Sequence, residues 1–374
     1  MLRKFFVSII AGLSLSAAYS QDSTVSASPL TISGFVDVYY RFNFSNPKSD
    51  QGFNNYTSFT NSQNSFELGM ASVKLEHSMG KVGFVADLGF GKRAAEFSYN
   101  ERVTSTTVSV PSPINLPADV DAAVVQNNEF AIKQAYVTYS PVANLKFTAG
   151  SWATHVGYEL VDAPLNRNYS MSYMFSYGPF FHTGLKADLT AGKSGFMLGV
   201  VNPNDLKSAS FTQKFGIAQY SYGGDKVKLY LNYVGGNFGG TQKMKQVDAV
   251  VTGAVSDKFS IGYNGTISMN KYRGVGDKYS DAMNWWGSAI YLNVDPTSAF
   301  GATLRGEYFD NKDGVLPLPT SVFETTLSLD FKVGALTIIP ELRLDNAKEE
   351  AFIKRDGTTQ KSTVTGLVAA VYKF

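Results

Sequence analysis

Residues 363 to 374 read Thr363-Val364-Thr365-Gly366-Leu367-Val368-Ala369-Ala370-Val371-Tyr372-Lys373-Phe374. In a strand, side chains alternate between two faces. Val364, Val368, Ala370, Tyr372 and Phe374 then share one face, and Thr363, Thr365 and Lys373 share the other. A soluble protein rarely ends on a strand whose final residue is an exposed aromatic. A bacterial outer-membrane barrel does, because its last strand must close the sheet and its aromatic end sits at the membrane interface. Tyr372 and Phe374 therefore read as the signal that the barrel assembly machinery recognises.

The beginning of the sequence points to the same compartment. Arg3 and Lys4 precede a short apolar run from Phe5 to Leu15, and Ala18-Tyr19-Ser20 forms a small-x-small cleavage site before Gln21. This is the three-part pattern of a secretory signal, too short for a membrane anchor. It predicts a signal peptide over 1–20 and a single barrel domain over 21–374. With no cysteine in the chain, a lipoprotein, a disulfide framework and a thiol metal site are all excluded. Setting aside Arg3 and Lys4 leaves 31 basic residues against 31 acidic ones. A neutral chain lacks the basic excess that a nucleic-acid partner requires. Beyond the signal, no segment approaches the roughly 20 apolar residues of a membrane helix. A membrane-embedded form must then be a closed barrel, since lipid cannot satisfy an open sheet edge.

Alternation supplies the strands. Phe323, Thr325, Leu327, Leu329, Phe331 and Val333 oppose Glu324, Thr326, Ser328, Asp330 and Lys332. Leu336, Ile338, Pro340, Leu342 and Leu344 oppose Thr337, Glu341, Arg343 and Asp345. Phe300, Ala302, Leu304 and Tyr308 oppose Thr303, Arg305 and Glu307, while Val36, Val38, Tyr40 and Phe42 oppose Asp37, Tyr39 and Arg41. The whole pattern gives strands over 31–44, 65–78, 82–91, 129–140, 145–155, 180–190, 195–201, 213–222, 226–235, 246–255, 259–270, 283–293, 299–311, 322–333, 336–346 and 363–374. A soluble sandwich could alternate in the same way; the connections decide against it. Every second connection is short, such as Met79-Gly80-Lys81, Gly223-Gly224-Asp225 and Gly334-Ala335, while 45–64, 92–128, 156–179, 271–282 and 347–362 are long and polar. Short turns on one side and long loops on the other mark an all-β transmembrane antiparallel β-barrel of about 16 strands, with periplasmic turns and outer loops. Two segments fit poorly. Residues 129–140 are partly apolar on both faces, with Phe130, Ile132 and Tyr136 against Ala131, Ala135 and Val137, and Pro340 removes a ladder donor within a strand.

A family resemblance is carried by Gly157-Tyr158-Glu159, Asp162-Ala163-Pro164, Asn166-Arg167-Asn168-Tyr169-Ser170, Ser172-Tyr173, Gly178-Pro179-Phe180 and His182-Thr183-Gly184. It continues at Trp285-Trp286-Gly287, at 305–310 and at 340–343. Taken together these segments resemble the OmpL-like β-barrel porins of Bacteroidetes. The resemblance spans most of the mature chain. It implies an outer-membrane barrel with a porin-like role and transfers no substrate.

On the strand map the 156–179 motif is the third outer loop, which either folds into the barrel or covers its rim. Asn166, Arg167, Asn168, Tyr169, Ser170 and Tyr173 are the constriction candidates if it folds inward. The inward charges Asp37, Arg41, Arg305, Glu307, Asp330, Glu341, Arg343 and Asp345 are the expected pore-lining groups. They either set the field that selects ions and polar solutes or form a salt-bridged wall. The three histidines, His77, His155 and His182, show neither metal-ligand nor triad spacing, so no catalytic residue, metal or cofactor is expected. The expected function is an outer-membrane porin of a Gram-negative bacterium, passing ions or small polar solutes by passive diffusion. The alternative is a surface structural or adhesion barrel whose outer loops bind a partner. Outer-membrane lipid and the assembly machinery are the implied partners, and a homotrimer is left open.

Overall fold

The computed structural model describes residues 29–48, 52, 54–98, 101–105, 123–127, 130–210, 213–274 and 278–374; the expected signal peptide, 1–20, lies outside them. The first ten strands are β1 Thr31–Asn43, β2 Ser65–Met79, β3 Val82–Phe90, β4 Glu101–Ser105, β5 Ala123–Asn127, β6 Phe130–Val142, β7 Leu145–Ala153, β8 Phe181–Ala191, β9 Ser194–Val201 and β10 Phe215–Gly223. The rest are β11 Val227–Phe238, β12 Gln242–Ser256, β13 Phe259–Tyr272, β14 Met283–Thr297, β15 Phe300–Asp310, β16 Val322–Val333, β17 Leu336–Ala347, β18 Phe352–Ile353, β19 Thr359–Gln360 and β20 Ser362–Lys373. Sixteen of them form one closed antiparallel barrel, and β4–β5 and β18–β19 are separate hairpins in the outer connections.

The barrel closes where β20 pairs with both β17 and β1. Phe374 completes the seam, its N–H donating to Gly34 O at 3.0 Å and its carbonyl accepting from Gly34 N at 3.1 Å. The two solvents of the fold are reversed relative to a soluble protein. Val36, Val38, Leu327, Leu342, Leu344, Val368 and Tyr372 are exposed on the outside, while Asp37, Arg305, Glu307, Glu324 and Thr326 are buried within. An apolar belt of this extent is an aggregation hazard in water and the required surface in lipid.

The irregular segments have local causes. Between β3 and β6, Asp87 pairs with Gln134 and Leu88 with Ile132, so Lys133 is an extra residue in a bulge. The bulge reverses the alternation of β6. Phe130, Ile132, Val137 and Tyr139 all face lipid, and Ala131 and Lys133 face the lumen, which accounts for two partly apolar faces in the sequence. Opposite Pro340 the β16–β17 ladder is interrupted, pairing Ser328 with Glu341 and Phe331 with Ile338 but nothing between. The strands expected at 226–235 and 246–255 extend to Phe238 and from Gln242, so the glycine-rich stretch between them is mostly sheet. Gly236 belongs there because a Cβ would stand 2.3 Å from the Phe215 ring. The expected loop 92–128 carries a helix, Lys92–Phe97, and the β4–β5 hairpin.

Candidate functional site: a loop clamped inside the lumen

Residues 154–180, between β7 and β8, fold into the barrel. The turn of chain is locally encoded. Gly157 adopts φ 96°, a conformation that L side chains rarely take. Pro164 starts the short 3-10 turn Ala163–Leu165. Asn166 ties the base of this sub-loop, accepting from Leu160 N at 2.9 Å and donating to Leu160 O. Ser172 then caps the helix Tyr173–Tyr177, its hydroxyl accepting from Phe175 N at 3.1 Å.

The barrel wall supplies the rest. Glu307 accepts from the first two helical N–H groups, Tyr173 N at 2.7 Å and Met174 N at 2.8 Å, a carboxylate at an N-terminus with two orphan donors. Glu341 accepts from Tyr169 N at 2.8 Å and Ser170 N at 3.2 Å. Arg305 joins Glu159 of the loop at 2.6 Å to Glu324 of β16 at 2.9 Å, and donates to Ser170 O at 2.8 Å. Arg343 pairs with Asp345 and donates to Met171 O at 2.7 Å. Tyr169 and Tyr173 donate their hydroxyls to Asp37 and Asp345. Burial holds both phenols well above their ordinary range, so they act as neutral donors. Asn168 donates to Ser328 at 2.7 Å, and Arg167 reaches down to Asp295 at the turn end of β14.

Shape matches as well as charge. A Cβ at Gly69 would meet the Tyr169 hydroxyl at 2.5 Å, one at Gly262 the Tyr158 ring at 2.7 Å, and one at Gly287 Met174 Cγ at 2.4 Å. Three wall glycines thus sit under three loop side chains. Across the lumen, Lys133 binds Asp87 at 3.1 Å and the loop's Asp162 at 2.6 Å. Arg93 donates to Val161 O at 3.1 Å and lies over the Tyr169 ring.

All eight of the expected pore-lining charges point inward, and each is buried. Of the two readings, a solute-facing lining and a salt-bridged wall, the bonds these groups make resemble the second. Asp37, Arg305, Glu307, Glu341, Arg343 and Asp345 bind the loop. Arg41 instead anchors the first outer loop, donating to Ser62 O at 2.5 Å and Asn54 O at 2.6 Å. Asp330 lines a cavity of about 280 Å³ at the turn side, beside Arg167, Lys332 and Lys373. Of the constriction candidates, Arg167, Asn168, Tyr169, Ser170 and Tyr173 are tied to the wall by the bonds above, and Asn166, bonded only within the loop, lines the turn-side cavity. Sequence reasoning misses Glu159, Glu324, Lys133, Asp162 and Arg93. Glu324 shares the polar face of its strand with Asp330, so alternation could have found it; Lys133 is hidden by the bulge.

The remaining polar lumen is held differently. The strap 155–158 crosses it through His155 Nε2–H to Tyr233 O at 3.1 Å, Gly157 N to Asp248 at 3.1 Å and Tyr158 N to Asn264 at 3.3 Å. Burial lowers His155 to about 4, so it is neutral and donates to that carbonyl. On the turn side of the strap, Lys74, Glu76, Lys186 and Asp188 are 32%, 41%, 19% and 29% exposed. On the other side lies a cavity of about 390 Å³ under the outer loops.

The family model described as Putative beta-barrel porin-2, OmpL-like, matches residues 29–374. Among solved structures, the chain is similar to OmpT, an outer membrane protein of Vibrio cholerae in a trimer form, with TM-score 0.54 and 9% identity over 93% of this chain and 100% of that one. Its loop L8 deletion mutant gives TM-score 0.52 and 9% identity over 93% and 99%. A refined porin structure gives TM-score 0.51 and 10% identity over 92% and 100%. At these identities the likeness is one of fold. No curated protein matches the chain.

Proposed function

The chain belongs to the OmpL-like beta-barrel porin-2 family and is an outer-membrane porin; we propose that small polar solutes diffuse through it past the strap 155–158. The observation that carries this reading is the placement of the strap between the outer cavity and the partly exposed charges on its turn side, on three hydrogen bonds and no ion pair of its own among the described residues. The clamped part of the loop narrows the lumen, and the strap is the part that yields. The reading is non-enzymatic, with His155 and His182 engaged by Tyr233 O and Thr154. Tyr372 and Phe374 are proposed as the signal read by the assembly machinery. The trimer described for OmpT is proposed for this chain too, and the mass of the detergent-extracted complex tests it. Planar-bilayer recording tests the pathway. The wild type should conduct weakly and Tyr158→Ala more strongly, because the side chain removed fills the gap between Gly262 and Tyr291. Silence from both proteins would leave a filled structural barrel instead.

A further inference from the structure

The outer cavity has a lining that selects a chemical class. One wall, from β12 and β13, is a ladder of amides and hydroxyls. Gln242 Nε2 donates to Asn270 Oδ1 at 3.0 Å, Asn270 Nδ2 to Ser268 Oγ at 3.1 Å, and Gln246 Nε2 to Thr266 Oγ1 at 3.0 Å. Two amide oxygens on lining residues, Gln246 Oε1 and Asn204 Oδ1, have no protein partner. Trp285 of β14, in register with Ser268, continues this wall, and Tyr177 and Leu316 from the loops add to the lining. Among the described lining residues one is a carboxylate, Asp205, and its Oδ1 already accepts from Phe180 N at 2.7 Å and Phe181 N at 3.0 Å.

We propose that this cavity is a binding site for an uncharged polyhydroxylated solute, a mono- or disaccharide, entering from the outer side. Hydroxyls both donate and accept, which suits amide groups whose own ladder leaves oxygens unused. The C–H faces of a sugar ring suit aromatic and aliphatic walls. An anion would lose hydration here with no cation among the described lining residues to replace it, and a cation would meet one carboxylate already bonded to backbone N–H groups. A cavity of about 390 Å³ lies at the lower end of the usual range for small-ligand sites. The inference rests on the reading of the barrel as a diffusion pathway, since the site stands directly above the strap.

The test uses the full mature chain folded in detergent, with its barrel state checked by gel migration before and after heating. Calorimetry and saturation-transfer NMR are run with D-glucose and maltose, and with D-gluconate and glucosamine as charged controls. Saturable binding of the neutral sugars, with the charged analogues weaker, is the expected result. Gln242→Ala and Asn270→Ala should each weaken it about five- to tenfold, as expected for one lost hydrogen bond with its partner left unpaired. Ser268→Ala is a milder substitution in the same ladder and should weaken binding less. Absence of saturable neutral-sugar binding, or binding unchanged in all three variants, would overturn the site. Bilayer conductance measured on the same samples separates the two readings. A conducting barrel that binds no sugar loses only this site, and a silent barrel that binds sugar keeps it and loses the pathway.

Discussion

The loop 154–180 meets two walls of the same barrel, and they hold it by different physics. Along β15–β17 the contacts are charge-assisted and short. Glu307, Glu341, Arg305 and Arg343 each take a loop backbone group at 2.7 to 2.8 Å. Along β11–β13 the strap 155–158 is held at 3.1 to 3.3 Å by a carbonyl, an aspartate and an asparagine. A buried ion pair is costly to break because the surviving partner is left unsolvated, whereas the strap has one charge-assisted bond, to Asp248, and two neutral ones that contribute about 0.5–1.5 kcal/mol each. One loop therefore has an anchored end and a releasable end. On the proposed pathway, the difference separates constriction, which must be permanent, from passage, which must be reversible.

That contrast can be broken most forcefully at Arg305. Arg305→Ala strands Glu159 and Glu324 without their cation, at a cost of about 3–5 kcal/mol. Backbone N–H groups from Ser170 to Phe175 should lose hydrogen-exchange protection, and conductance should rise. Full protection in a folded variant would mean that the charges do not hold the loop. Next comes Glu307→Gln, which should cost about 1.5–3 kcal/mol through the two helical N–H groups it caps. Its exchange footprint should stay within Tyr173–Tyr177, and a spread to the strap would contradict the two-ended picture.

At the releasable end the expected energies are smaller but the functional effect is not. Asp248→Ala removes the acceptor for Gly157 N, Asn232 and Asn264, a loss of about 1–3 kcal/mol. Single-channel traces should show longer open intervals while the Tyr173–Tyr177 helix keeps its protection. Unchanged traces would place the gate elsewhere. The smallest stability effect belongs outside the lumen altogether. Phe374→Ala strips aromatic contact from the seam at a cost of at most a few kcal/mol, spread over a barrel closed by sixteen strands. Refolding in detergent should stay near normal while the amount reaching the outer membrane falls. Normal outer-membrane levels would show that this residue is not an assembly signal.

Much of the barrel can be read from residues such as Thr363 to Phe374 because the rule is local. A strand between lipid and lumen must alternate, and neighbours in sequence carry the pattern. The short turns and long outer connections followed in the same way. Lys133 escaped because one bulged residue reverses the pattern that reveals it.

The interior is another matter. Glu307 binds Tyr173 N from 134 positions away, Glu341 binds Tyr169 N across 172, and Gly262 leaves room for Tyr158. The sequence by itself determined the membrane-facing class, the approximate strand count, the inward set of charges and a loop able to enter the lumen. Only the tertiary structure decided that Asp37, Arg305, Glu307, Glu341, Arg343 and Asp345 bind the loop 154–180. Closing the sheet brings β15–β17 around a segment more than a hundred residues earlier, and pairing across that distance leaves no periodicity in the chain to read.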